Sequence, residues 1–204
     1  MASKGSAREI SAQMRAEQQQ SDRRRRNLRF AGAVTAAIVT IGGLAWLGLR
    51  AQSSASATPI PGLQIFTGLA RDHVDGTVTY AQTPPVGGKH SPMWQNCGWY
   101  DTSVRNENAV HSLEHGAAWI TYSPQLSVSD KAKLKSELAG KAYVVASPYA
   151  GLPAPIVASA WGARVKLTGV NDPRLGQFIA RYANSAKAPE PGGECTGGLG
   201  TPAN

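Results

Sequence analysis

The stretch NENAVHSLEHGAAWITY, residues 106–122, decides the fold that the sequence predicts. Its first part, residues 107–115, is typical of a short helix, with Asn106 as the N-cap and Gly116 as the stop. Its second part, residues 117–122, is an apolar run of strand length. A helix that passes at a glycine into an apolar strand indicates a domain of mixed helix and sheet.

The chain after residue 122 carries further helix and strand signals. Residues 127–138 predict an amphipathic helix that Ser127 caps, with Val128, Leu134 and Leu138 facing inward. Strands are predicted at residues 142–147, 156–161 and 163–168, and a last helix at residues 171–184. This order predicts an α+β fold, a mostly antiparallel sheet with helices packed on one side.

The chain before residue 106 gives weaker signals. Residues 62–80 show alternation, clearest between residues 74 and 80, which predicts one or two short strands. Residues 83–96 contain Pro84-Pro85 and Gly87-Gly88, which predict a loop. The whole domain is expected to span residues 62–187, with a Gly- and Pro-rich tail at residues 188–204.

The N-terminal residues predict a membrane anchor. Residues 1–29 carry a net charge of +5 out of the +8 of the chain, and residues 30–49 contain no charge. At about 1.5 Å per residue, twenty residues of helix span about 30 Å, the thickness of a bilayer core. Such a run directly after an arginine cluster favours a transmembrane helix over a buried core helix. Residues 50–61 would be the linker to the domain.

The charge bias also predicts the orientation in the plasma membrane. Arginines remain on the cytoplasmic side, so residues 1–29 are expected in the cytoplasm and the domain outside it. The membrane, not nucleic acid, is thus the expected partner of the basic segment. A cleaved signal peptide ending near residues 55–57 and a twin-arginine export signal are the alternatives. The apolar run exceeds the usual length of a signal peptide, which favours the retained anchor.

The chain has two cysteines, Cys97 and Cys195. An even count in an oxidising compartment indicates a disulfide, which would tie the tail to the domain. The alternative is that Cys97 is a metal ligand or a reactive thiol.

Three histidines predict a metal site. His111 and His115 are four residues apart, so their imidazoles project from one helix face. His90 lies in the predicted loop, with Met93 three residues later. Imidazoles with a thioether suit copper, and imidazoles with a carboxylate suit zinc. Because Met93 would supply a thioether, copper is the first candidate and zinc the second. The alternative is that these histidines are structural, bonded to backbone carbonyls.

The same segment matches the H-x-x-E-H pattern of a zinc hydrolase, in which Glu114 would be the general base. Gly116 and a strand follow at once, and no second helix supplies an obvious third ligand. Glu114 is therefore assigned to orienting a histidine, and no catalytic residue is assigned. Phosphate-binding, dinucleotide-binding and serine-hydrolase motifs are absent from the sequence, so binding is favoured over catalysis.

Several strings resemble one family. The strings are PP (84–85), GGKH (87–90), CGWY (97–100), VHSLEHG (110–116) and WITY (119–122), and the single residues Tyr80 and Trp94 also fit the resemblance. Together they are similar to the bacterial family called domain of unknown function 3105, over roughly residues 62–182. The resemblance implies a short membrane-anchored extracytoplasmic domain and brings no activity. An interaction or accessory module of an envelope complex, with a protein partner, is the alternative to metal binding.

Overall fold

A computed structural model describes residues 59–203. Within this range the chain forms six strands and three helices: β1 (Gln64–Ile65), β2 (Gly98–Trp99), α1 (Asn106–Glu114), β3 (Ala118–Tyr122), α2 (Val128–Leu138), β4 (Val144–Pro148), β5 (Ile156–Ala160), β6 (Ala163–Leu167) and α3 (Arg174–Tyr182). The α+β class is therefore confirmed.

All six strands belong to one sheet, in the order β1-β6-β5-β3-β4-β2. The pairs β1–β6, β6–β5 and β5–β3 are antiparallel. The pairs β3–β4 and β4–β2 are parallel. The sheet is thus mixed, where a mostly antiparallel one was predicted. The reason is that α2 connects β3 to β4 as a crossover, which returns the chain in the same direction.

Helices cover both faces of the sheet. On one face, Ile120 of β3 shares a core with Leu134 of α2 and Phe178 of α3. Its neighbour Trp119 points to the other face and packs in a second core with Leu113 of α1. The prediction of helices on one side is therefore wrong. Every residue of β3 is buried, so this central strand needs cover on both faces.

The ends of the helices follow the sequence signals in part. Ser127 caps α2, since its Oγ accepts a hydrogen bond of 3.0 Å from the backbone N–H of Asp130. Gly116 ends α1 in a left-handed conformation with φ of 100°. Val128, expected to face inward, is 85% exposed because it lies at the first position of α2.

The segment before α1 is irregular. The prediction of one or two short strands within residues 62–80 is confirmed by β1, which lies at the start of that range, while the alternating residues 74–80 form no strand. A single backbone bridge joins His73 to His90, with hydrogen bonds from Val74 N–H to the His90 carbonyl and from His90 N–H to the Asp72 carbonyl. This bridge fixes a loop that is otherwise without regular structure.

The tail is attached to the sheet edge at β2. Cys97 and Cys195 form the predicted disulfide, with their Cα atoms 5.3 Å apart. The backbone N–H of Ala203 donates to the carbonyl of Trp99, and that of Leu199 donates to the carbonyl of Trp94. The tail therefore covers an edge of the sheet that would otherwise be open.

No helix within residues 59–203 combines the length and the apolar composition that crossing a bilayer requires. The predicted transmembrane helix at residues 30–49, the basic segment before it and most of the linker lie outside the described residues.

Candidate metal centre

The last turns of α1 supply three side chains to one cluster. Glu114 and His115 lie three and four residues after His111, so both side chains lie next to that of His111. All three are buried. Buried histidine and glutamate side chains need polar partners, because burying a polar group without hydrogen bonds costs free energy.

The loop at residues 83–96 brings His90 to this face. Ser112 of α1 anchors the loop, since its Oγ accepts from the Gln95 N–H at 3.0 Å and bonds to the Gln95 carbonyl at 2.7 Å. His90 is completely buried, and the centres of its ring and the His111 ring are 5.1 Å apart. His90 and His111, which are well separated in sequence, therefore lie side by side.

His73 completes the cluster from the solvent side. Its backbone bridge to His90 sets its position, and its ring stacks on that of His111 with the centres 4.9 Å apart. The His73 side chain is 45% exposed, and its Nε2 is 3.6 Å from an oxygen of the buried Glu114. It is the member of the cluster that solvent reaches.

Ligand atoms of four residues lie within 4.8 Å of one another: one each from His73, His90, His111 and Glu114. Three imidazoles and one carboxylate at these separations can hold a metal ion, since zinc binds histidine nitrogen and carboxylate oxygen at about 2 Å. His115 lies immediately beside this set.

Backbone carbonyls fix the orientation of three imidazoles. Nδ1 of His90 bonds to the Gly88 carbonyl at 2.7 Å, that of His111 to the Ser91 carbonyl at 2.7 Å, and that of His115 to the Glu194 carbonyl at 2.6 Å. A carbonyl only accepts, so each Nδ1 carries the proton. In a neutral ring, Nε2 then keeps its lone pair, which is the arrangement that metal-binding histidines adopt.

These Nε2 atoms converge. Nε2 of His90 lies 2.8 Å from an oxygen of Glu114, and Nε2 of His111 lies 2.9 Å from Nε2 of His115. Two lone pairs at such distances repel each other unless a proton or a metal ion lies between them. The cluster is therefore arranged around positive charge.

Burial keeps His111 neutral. Desolvation, with the charges that His115, His90 and His73 can carry, lowers its pKa to about 4, although the bond to Ser91 acts in the opposite direction. At neutral pH the lone pair of His111 is thus available to bind a metal ion.

The cluster differs in part from the predicted set of ligands. It contains His90 and His111, and it places His115 beside them. Glu114, expected only to orient a histidine, contributes a candidate ligand atom itself. Met93 is 40% exposed, and its role as a ligand stays a prediction.

The prediction omitted His73. The chain has only four histidines, and this count was the one available signal. No periodicity relates residue 73 to residue 90, because a single long-range backbone bridge brings them together.

The comparisons with known proteins give one match. No curated protein and no solved structure matches the chain significantly. A family profile with the description "Protein of unknown function (DUF3105)" matches residues 73–197. The matched range begins at His73 and includes all four candidate ligands and both cysteines. Since the match spans more than half of the 204 residues, the chain belongs to this family.

Proposed function

We propose that this protein is a membrane-anchored extracytoplasmic protein whose domain binds one divalent transition metal ion. The inner site consists of His73, His90, His111 and Glu114. The proposal rests on what the two ring nitrogens of His90 and His111 contact. Each Nδ1 is occupied by a carbonyl, and each Nε2 points toward another ligand atom.

The donor set favours zinc. Three imidazole nitrogens and one carboxylate oxygen are the ligand types and the number that a tetrahedral zinc ion takes. Copper was preferred from the sequence because Met93 could add a thioether. Glu114 now stands as the fourth donor beside the imidazoles, so copper becomes the second candidate.

Purely structural histidines explain the geometry less well. Hydrogen bonds to carbonyls account for Nδ1 in three rings, and they do not explain why the Nε2 atoms converge on one another and on Glu114. That alternative needs a proton shared between Nε2 of His111 and Nε2 of His115, which are 2.9 Å apart. Metal binding accounts for this convergence and for the approach of His73 to the same group.

The site favours holding an ion over hydrolysis. A catalytic zinc site has three protein ligands and an open position for water. Here four protein donors are available to one ion. Glu114, the base that a hydrolase would need, is itself in contact with His90 Nε2.

The location of the protein is proposed from the sequence. The arginine cluster in residues 23–29 and the uncharged residues 30–49 support a cytoplasmic N-terminus and an external domain. In intact cells, protease added outside should cleave the domain and leave residues 1–29 protected. Cleavage only after lysis would contradict this location.

Metal content of the full chain, purified without a histidine tag, tests the binding proposal. We expect about one zinc ion per chain by elemental analysis. Glu114→Gln and His90→Gln should each weaken binding by more than about 100-fold, because even residues that only support metal ligands contribute about 10- to 100-fold. Glu137→Gln is the matched control, since this exposed glutamate lies on α2.

Thermal unfolding separates loss of metal from loss of fold. Zinc should raise the melting temperature of the wild type and of Glu137→Gln, and should leave that of folded Glu114→Gln unchanged. Equal stabilisation of all three proteins would overturn the proposed site, as would a wild type that retains no metal.

A further inference from the structure

A second pair of ligand atoms lies at the edge of the metal centre. Nε2 of His115 is 3.6 Å from a carboxylate oxygen of Glu190. The two members differ in their surroundings, since the His115 side chain is buried and that of Glu190 is 58% exposed. The pair thus connects solvent to the buried imidazoles.

The surrounding chain builds this pair. The backbone N–H of Glu190 donates to the carbonyl of Glu114 at 3.0 Å, which ties the tail to the end of α1. The Glu194 carbonyl holds Nδ1 of His115 at 2.6 Å. Gly193 lies so close that a Cβ there would be 2.6 Å from Cγ of His115. The position of the His115 ring is therefore fixed from two sides.

His111 belongs to both groups of ligands. Its Nε2 lies 2.9 Å from Nε2 of His115, and it also contributes to the inner site. A neutral imidazole nitrogen has one lone pair and therefore binds one ion at a time. An ion held by His115 and Glu190 can thus gain His111 as its next ligand without first returning to solvent.

We infer that His115 and Glu190 form an entry site, through which the metal ion reaches the inner site by exchange of ligands at His111. This inference rests on the proposed function. In the exchange, His111, and then His90, Glu114 and His73, donate their lone pairs to the ion as those of Glu190 and His115 are released. The ion keeps its charge throughout, and its bound water leaves to solvent.

The charge and exposure of Glu190 give it a role in the rate of binding. An exposed carboxylate at the mouth of a site attracts cations and raises the rate of association. The buried Glu114 supplies charge only after the ion has lost its water. Removing the outer carboxylate should therefore slow uptake and leave the final complex nearly as stable.

Uptake of zinc by the metal-free full chain tests the inference. Zinc bound to a chromophoric chelator is mixed with the protein in a stopped-flow instrument, and the absorbance of the chelator reports the transfer. Glu190→Gln and His115→Gln should load at least about tenfold more slowly than the wild type. Both should still reach about one ion per chain at equilibrium.

Glu194→Gln is the matched control. It removes the same charge from an exposed residue in the same segment and keeps the backbone carbonyl that bonds to His115. It should load within about twofold of the wild type, since its carboxylate is not part of the pair and salt weakens the effect of an exposed charge.

Each outcome decides a different question. If Glu190→Gln loads as fast as Glu194→Gln, the entry site is wrong and the inner site stands. If His115→Gln fails to hold an ion at equilibrium, His115 belongs to the inner site and the entry role is wrong. If the wild type itself takes up no zinc, the proposed function has failed first.

Discussion

Burial lowers the pKa of His111 to about 4, because water that would solvate an imidazolium is excluded and three other imidazoles surround the ring. The carbonyl of Ser91 offsets this only in part. This environment keeps the lone pair of His111 available near neutral pH, and it makes the folded protein less stable at low pH. The cost should be measurable in the metal-free protein.

We predict that the free energy of unfolding of the metal-free protein falls as the pH is lowered from about 6.5 to about 4. In that range the unfolded chain binds a proton at His111, whose ordinary pKa is 6.5, and the folded chain does not. Unfolding then takes up protons, so acid favours it, by at most about 1.4 kcal/mol per pH unit for one proton. Urea denaturation at several pH values measures the slope. His111→Gln should flatten it, and an unchanged slope would contradict the low pKa.

At the level of residues, the sequence predicted what lies on one helix face. His111 and His115 follow from the helical spacing alone. The contact of His90 with this face was only a hypothesis, because Ser112 and Gln95 carry the anchoring bonds and neither residue type is specific for such a role. His73 needed a backbone bridge that has no sequence signature.

Among the elements, α3 depends on one carboxylate at its start. Asp172 accepts hydrogen bonds from the backbone and the hydroxyl of Thr168 and from the backbone and guanidinium of Arg174. The Arg174 guanidinium is the main reason why the pKa of this carboxyl lies well below its usual range. The charge of Asp172 therefore stabilises the turn that leads from β6 into α3.

Asp172→Asn should lower the free energy of unfolding by about 1.5–3 kcal/mol at neutral pH, the range for a hydrogen bond to a charged group. Because the native pKa is depressed, this difference should persist above about pH 4. It should shrink below that pH, because the carboxyl of the unfolded wild-type chain takes up a proton there while that of the folded chain does not. Chemical denaturation of both proteins measures the difference. Asp75→Asn, the same exchange in an exposed loop, should change stability little. Equal effects at residues 75 and 172 would refute the role of Asp172.

One glycine inside a helix and one shortly after a helix allow a test of backbone conformation alone. A Cβ would meet nothing within 4 Å at either Gly176, inside α3, or Gly140, which follows α2. Gly176 is an exposed helical residue, so Gly176→Ala should stabilise the protein by about 0.5–1 kcal/mol. Gly140 has a φ of 71°, so Gly140→Ala should destabilise it by about 1–2 kcal/mol. Melting temperatures should therefore move in opposite directions, and a shift of the same sign would contradict this account.

The sequence predicted the long elements better than the short ones. The helix that Ser127 caps and the buried strand after Gly116 carry strong local signals. The strand β2 has only two residues, Gly98–Trp99, and its partner β4 lies more than forty residues later. No periodicity can be read from two residues, so β2 was not predicted.

In the whole molecule, the central strand β3 determines how the layers are arranged. Its residues are buried on both faces, so α1 must lie opposite α2 and α3. The sequence showed the apolar run but not the need for two covering layers, because a short apolar run is compatible with several arrangements. One consequence concerns the candidate site, since α1 carries His111 and Glu114, two of the four candidate ligands, and its opposite side packs on the sheet.

The disulfide links the stability of the whole domain to the proposed entry site. Cys97 and Cys195 are 98 residues apart, and a loop of that length corresponds to about 4–5 kcal/mol of stabilisation from restriction of the unfolded chain. Cys195 directly follows Glu194, whose carbonyl positions His115. The tail has other attachments, for example the bond of 3.1 Å from Nε1 of Trp94 to the carbonyl of Thr196.

We therefore predict two effects for the double variant Cys97→Ser/Cys195→Ser. Its free energy of unfolding should fall by several kcal/mol, by the loop argument above. It should also load zinc more slowly than the wild type and still hold about one ion at equilibrium, because the inner ligands lie on α1 and the loops at residues 73 and 90. Urea denaturation and stopped-flow uptake measure the two effects separately. Wild-type protein treated with a reductant should behave as the variant does. Loss of the equilibrium ion in a variant that remains folded would show that the tail supports the inner site as well.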